Sequence, residues 1–220
     1  MDIIEILFII AIILIIAIIA VLLIPVKEKK QAINTYFKET NNSKYHVRRD
    51  KGLYGEYKCY EELKSFEDEG ARFLFNLVIP TKNNTTEIDS IMIIHKGIFV
   101  IESKNRSGRI IGDENTKYWT QIFNRHTQNE MYNPYYQNRG HIKAVKNIIG
   151  NHYRYYSFIV FANDAVLDVK DSISTDEFVV KRHQLYEYIK DINDDFKDNY
   201  YLSDEEIEDI YNRLYEYTNH

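Results

Sequence analysis

Hydrophobic residues are distributed along this chain in two regimes. From Ile6 to Ile24 every residue is Ile, Leu, Ala, Val or Phe. As a helix these 19 residues rise roughly 28 Å, close to the ~30 Å hydrocarbon core of a bilayer. The block reads as a transmembrane helix, with residues 3–26 in lipid. A cleaved leader would start basic and end in small residues, whereas Asp2 and Glu5 precede this block and Pro25-Val26-Lys27 follows it. Lys27, Lys29 and Lys30 lie just after the span and no Lys or Arg lies before it. That asymmetry puts the N-terminus outside and the soluble part on the cytoplasmic side of the cell membrane, as a single-pass protein.

Downstream the pattern is that of a folded domain. The stretch from Lys27 to about Asn42 is polar with Ala32, Ile33, Tyr36 and Phe37 at helical spacing, and reads as a juxtamembrane helix and linker. Leu53, Tyr57, Tyr60 and Leu63 predict a helix over Gly52 to Phe66, with Glu56 on or beside the same face. After Gly70 the period shortens. Phe73 to Ile79, Ile88 to Ile94 and Ile98 to Ser103 are β-branched and aromatic runs with turn residues between them. His95-Lys96-Gly97 is too short for a crossover helix, so the second and third runs form an antiparallel hairpin.

Arg109 to Gly112 and Tyr118 to Phe123 add strands, and Asn133-Pro134 opens a helix that Gly150 stops. Tyr156 to Phe161 is a compact strand and Glu177 to Val180 a weaker one, before an acidic helical end. This order of elements implies an α/β or α+β sandwich. The expected divisions are an anchor at 1–26, a linker at 27–49, a core domain at 50–170 and an acidic extension at 171–220.

Composition narrows the chemistry. With 220 residues there is room for one ordinary domain beside the anchor. The lone cysteine, Cys59, suits a reducing compartment and reads as a buried apolar residue. Residues 184–220 carry 11 acidic and 3 basic side chains, so the net charge of -5 conceals a mildly basic body that tolerates a polyanion. The 19 tyrosines read mostly as core and half-buried strand residues. His95, His126, His141 and His152 show no zinc-ligand spacing. Walker, dinucleotide-binding and Gly-x-Ser-x-Gly patterns do not occur, which leaves ATPase, oxidoreductase and serine-hydrolase readings without support.

One constellation carries chemistry. Asp89 opens one strand of the hairpin, while Glu102 and Lys104 stand two apart at the end of the next and so share a face. The turn folds the start of one strand beside the end of the other, which converges two carboxylates and an amine. Paired hard oxygen ligands suit Mg²⁺ or Mn²⁺ and a phosphate substrate. Lys104 would then assist the attacking water or stabilise the transition state. Lys51, Arg106 and Arg109 flank the constellation as candidates for phosphate contacts.

The chain resembles the NERD (nuclease-related) family of restriction-endonuclease-like PD-(D/E)xK proteins. The resemblance rests on Lys51-Gly52-Leu53-Tyr54-Gly55-Glu56, Glu87-Ile88-Asp89, Gly97-Ile98-Phe99-Val100-Ile101-Glu102-Ser103-Lys104-Asn105, Asn133-Pro134 with Gln137, and Phe161-Ala162-Asn163. It implies an α/β core with a central mixed sheet flanked by helices. Asp89, Glu102 and the Ser103 backbone carbonyl would bind the metal, with Lys104 as catalytic lysine, Glu56 as a helix-borne acidic partner and Gln137 as a polar residue facing the site. Ser90 departs from the family, which often places a histidine after the aspartate.

The reading that follows is a membrane-anchored, Mg²⁺-dependent nuclease acting on DNA or RNA. Two alternatives stand beside it: a non-catalytic nucleic-acid-binding module, and a membrane scaffold whose acidic C-terminus recruits a protein partner.

Overall fold

The computed structural model describes residues 35–195 and 197–219. The apolar block assigned to the bilayer lies outside them. Among the described residues no helix is long and apolar enough to cross a membrane.

The hairpin expected from the sequence forms the middle of the fold. Strands β1 (Arg72–Pro80), β2 (Thr85–Ile94) and β3 (Gly97–Lys104) run antiparallel in succession, the last two joined by a turn at His95 and Lys96. Gly97 has φ 140°, and a Cβ there would lie 2.8 Å from the Arg154 carbonyl oxygen, so the turn requires glycine.

After β3 the chain leaves this sheet and makes a second one. Strands β4 (Gly108–Gly112), β5 (Tyr118–Asn124) and β6 (Thr127–Tyr132) form a meander, and the helix at Pro134–Ile149 returns the chain to the first sheet. There β7 (Tyr155–Phe161) pairs parallel with β3. Strand β8 (Ala165–Val169) then pairs parallel with β4, and β9 (Glu177–Lys181) pairs parallel with β7. The result is a five-stranded mixed sheet ordered β1-β2-β3-β7-β9 and a four-stranded sheet ordered β6-β5-β4-β8.

The two sheets are continuous in one respect. Lys104 pairs with Phe161 at the end of one parallel ladder and Gly108 pairs with Ala165 at the start of the other, so both strands break for three residues at the same level. The end of β3 is therefore a seam between sheets, where strand geometry stops and side chains have room to converge.

Helices cover both faces of the larger sheet. On one side α1 (Lys44–Arg49), α2 (Lys51–Leu63) and α4 (Leu185–Asn193) bury Val47, Cys59, Leu63, Leu185 and Ile189 against Phe75, Phe99 and Phe158. On the other, α3 (Pro134–Ile149) and α5 (Asp204–Tyr215) bury Val145, Ile149, Ile207, Ile210 and Leu214 against Leu74, Ile91 and Val100. Helix starts follow their caps. The Asp50 side chain accepts the backbone N–H groups of Gly52 and Leu53, Asn133 accepts that of Tyr135 ahead of Pro134 at the first turn, and Ser203 with Glu206 forms a capping box.

The architecture is α/β with helix-flanked mixed sheets, and three features differ from the sequence reading. The strands near Arg109 and Tyr118, which the sequence left without a sheet, build a second one. β6 went unrecognised because four of its six residues are exposed and polar, and β8 because only Ala165 of its five residues is buried. Third, one compact unit begins at Tyr36 and includes the C-terminal helix. Tyr36 and Val47, from the stretch read as linker, lie in one core, and Leu202 to Leu214, from the stretch read as extension, lie in the other. The C-terminal helix thus turns its apolar face to β1, β2 and α3. Replacing Ile210 by Ala is expected to cost about 2–5 kcal/mol of stability in chemical denaturation; a cost below about 0.5 kcal/mol would show that α5 is not part of the core.

Candidate active site at the seam between the sheets

Strand register brings the constellation together. Ser90 pairs with Ile101, so the next antiparallel step places Asp89 beside Glu102. The Asp89 carboxylate accepts the Ser103 backbone N–H at 2.7 Å.

Asp89 also sits where side-chain alternation fails. Ile91 and Ile93 face one core, and strict alternation would turn Ile88 to the opposite one, yet Ile88 packs with them. The same inversion occurs on β1, where Leu74 and Leu77 share a core. Between them Asn76, opposite Asp89 in the register, adopts φ 53°. Paired strands thus flip together, and the flip turns Asp89 toward the end of β3.

Glu102 is the buried hub. It is 2% exposed, so its charge requires partners. Its Oε1 lies 2.6 Å from the Lys104 ammonium and accepts the Gln137 amide N–H at 2.7 Å. Its Oε2 accepts from His141 Nε2 at 3.0 Å. The Gln137 carbonyl oxygen accepts from Lys104 at 2.9 Å, closing a triangle. The other nitrogen of His141 meets the Thr86 hydroxyl at 2.8 Å, which fixes the ring. Burial pushes the Glu102 carboxyl up, but His141 and Lys104 outweigh it and hold it below the usual range.

The other two carboxylates are crowded. Burial, then the charges of Glu102 and Glu56, raise Asp89 well above the ordinary range. Glu56 enters from α2, which can press on β3 because residue 55 is glycine: a Cβ there would stand 2.8 Å from Ser103 Oγ and from Asn105 Cβ. Burial foremost raises Glu56 to about 7, with Asp50 and Glu102 adding repulsion against a hydrogen bond from the Tyr36 hydroxyl at 3.5 Å. Burial also pushes the Cys59 thiol up to about 12, which fits an inert core residue.

The expected residues Asp89, Glu102, Lys104, Glu56 and Gln137 therefore converge. The phosphate candidates fare unevenly: Lys51 is exposed, whereas Arg106 donates to the Gln121 side chain at 2.8 Å and Arg109 is ion-paired with Asp168. The sequence reading missed His141. A signal was present, since His141 is four residues after Gln137 and so lies on the same face of α3. It supplies Glu102 with an imidazole hydrogen bond from the helix.

The donor set is compatible with a hard divalent cation. Among the described residues, Ser103 N–H is the one hydrogen-bond donor to Asp89, and one acceptor direction of Glu102 is unused. No three His, Cys, Asp or Glu side chains among the described residues are grouped to hold a metal by themselves. An ion bound here would rely on two carboxylates, backbone and water, a ligand set typical of Mg²⁺.

The raised Glu56 carboxyl gives a signed expectation. The folded protein keeps this proton to about 7 while an ordinary glutamate releases it near 4.5, so stability falls as pH rises between these values. In EDTA, the wild type is expected to lose more Tm than Glu56→Gln between about pH 5 and about pH 7.5; equal losses would show that Glu56 is not crowded.

Residues 51–162, which contain Glu56, Asp89, Glu102, Lys104, Gln137 and His141, match the family model described as NERD, nuclease-related domain. An uncharacterized protein of Bacillus anthracis is 31% identical over 173 residues, 78% of each chain. No solved structure gives a significant match. The chain belongs to the NERD, or nuclease-related domain, family.

Proposed function

We propose that this domain is a metal-dependent phosphodiesterase that cleaves DNA or RNA, with Asp89, Glu102 and the Ser103 carbonyl as ligands for Mg²⁺ or Mn²⁺. The observation that carries this reading is the buried Glu102 carboxylate held between Lys104, Gln137 and His141, beside an Asp89 that accepts the Ser103 N–H and forms no direct ion pair among the described residues. The ion, when bound, would supply Lewis acidity and lower the pKa of a bound water.

The chain's own residues divide the remaining work. Asp89 and Glu102 present oxygens from adjoining strands, and Gln137 and His141 keep Glu102 from turning away. Lys104 is held by Glu102 and Gln137 with its side chain 19% exposed, so it can meet a phosphoryl oxygen or a nucleophilic water at the strand end. Glu56, near 7, can exchange a proton around neutral pH. The apolar run from Ile6 to Ile24 with its following lysines supports tethering at the cytoplasmic face of the membrane.

The roles separate experimentally in the full chain. Asp89→Ala is expected to abolish both Mg²⁺ binding, read by calorimetry, and cleavage of labelled DNA and RNA. Lys104→Ala is expected to keep Mg²⁺ binding and lose cleavage. His141→Ala is expected to weaken Mg²⁺ binding about 10–100-fold. Cleavage that survives in Asp89→Ala would overturn the reading, and wild-type Mg²⁺ binding without cleavage of any nucleic acid would favour a binding module.

A further inference from the structure

A second feature adjoins this site and bears on what it would act on. Lys44 and Arg48 are four residues apart on α1 and share a face, while Val47 turns inward to the core. Both are exposed, and neither forms an ion pair with any described carboxylate. With Phe37, Tyr54, Tyr57 and Lys58 they line a groove of about 220 Å³ between α1, α2 and the helical segment at 35–40. The acid on its wall, Glu61, is already taken by Lys58 and the Tyr57 hydroxyl.

The groove combines two properties. The Lys44 ammonium lies 5.7 Å from the centre of the Phe37 ring, so charge and aromatic surface are adjacent. Tyr54 is 38% exposed with a ring free for a stacking partner. The groove is also tied to the catalytic end of β3. Asn105, the residue after Lys104, donates its side-chain amide to the Lys51 carbonyl at 2.8 Å, and Lys51 precedes Tyr54 by one turn. The exposed cations Lys51, Arg48 and Lys44 thus lead from the end of β3 into the groove.

We infer that this groove binds a single-stranded nucleic acid, with Lys44, Arg48 and Lys51 on its phosphates and Tyr54 stacked on an unpaired base. This rests on the nuclease reading and narrows its substrate class. Duplex bases are stacked on each other and offer no face to a tyrosine, whereas single strands are held by this pairing of cations with exposed rings. Phosphate contacts alone would not discriminate between the two forms.

The test is fluorescence anisotropy of the full chain in detergent with a labelled oligothymidine and a duplex of equal length, in EDTA so that binding is read without cleavage. The wild type is expected to bind the single strand about 10-fold or more tighter than the duplex. Tyr54→Ala is expected to weaken single-strand binding about 5–100-fold and leave duplex binding unchanged. Lys44→Glu with Arg48→Glu is expected to weaken both and flatten the salt dependence of single-strand binding by about 1.4 in log-log slope. These side chains are exposed, so unchanged melting temperatures are expected; Arg48→Gln serves as a milder variant. Equal affinity for the two forms with no effect of Tyr54→Ala, or wild-type binding by the charge-reversed protein, would overturn the inference. Because Asp89→Ala is expected to bind the oligonucleotide without cutting it, failure of the groove and failure of the metal site give different results.

Discussion

The arrangement at the seam depends on keeping the buried Glu102 carboxylate charged. A buried carboxylate without partners is far less stable than a hydrated one, so its surroundings must supply charge and hydrogen bonds together. Lys104 supplies the charge from two residues along the same strand, and Gln137 and His141 supply donors from one face of α3. Strand and helix are thereby fixed to each other by polar geometry, while Val145 and Ile149 on the same helix fix it by apolar packing. Removing one partner would leave the others under-satisfied, which is why such networks hold a site rigid.

The two sheets explain why the site lies where it does. In the interior of a sheet the backbone groups of β3 would be covered by neighbouring strands on both sides. At Lys104 both β3 and its parallel neighbour β7 break, and the chain resumes in the second sheet only at Gly108 and Ala165. Gly55 lets α2 close on this gap from one face while α3 closes on it from the other. Carboxylates therefore meet from three directions: Glu56 from a helix, Glu102 from a strand end and Asp89 from a point of inverted alternation. Burial first, and then their mutual repulsion, raises Asp89 and Glu56.

Much of this was legible in the sequence because it depends on local rules. A two-residue turn between β-branched runs forces a hairpin, the hairpin forces Asp89 beside Glu102, and alternation forces Glu102 and Lys104 to one face. The helix start at Asn133-Pro134 and its stop at Gly150 are likewise local. His141 was within reach too, through its four-residue spacing from Gln137, but a histidine on an amphipathic helix declares no function until the neighbour it faces is known.

What the sequence by itself determined was most of the elements, the hairpin and the meeting of Asp89, Glu102 and Lys104 at its open end, since backbone sterics and hydrophobic period act over a few residues. Only the tertiary structure decided that β4 to β6 build a separate sheet, that Tyr36 and the acidic C-terminal helix belong to the cores, and that alternation inverts at Asn76 and Asp89 together. Each of these depends on contacts between residues distant in the chain: the inversion needs two paired strands to flip in step, and the burial of Tyr36 or Leu214 needs a sheet surface that neither segment encodes.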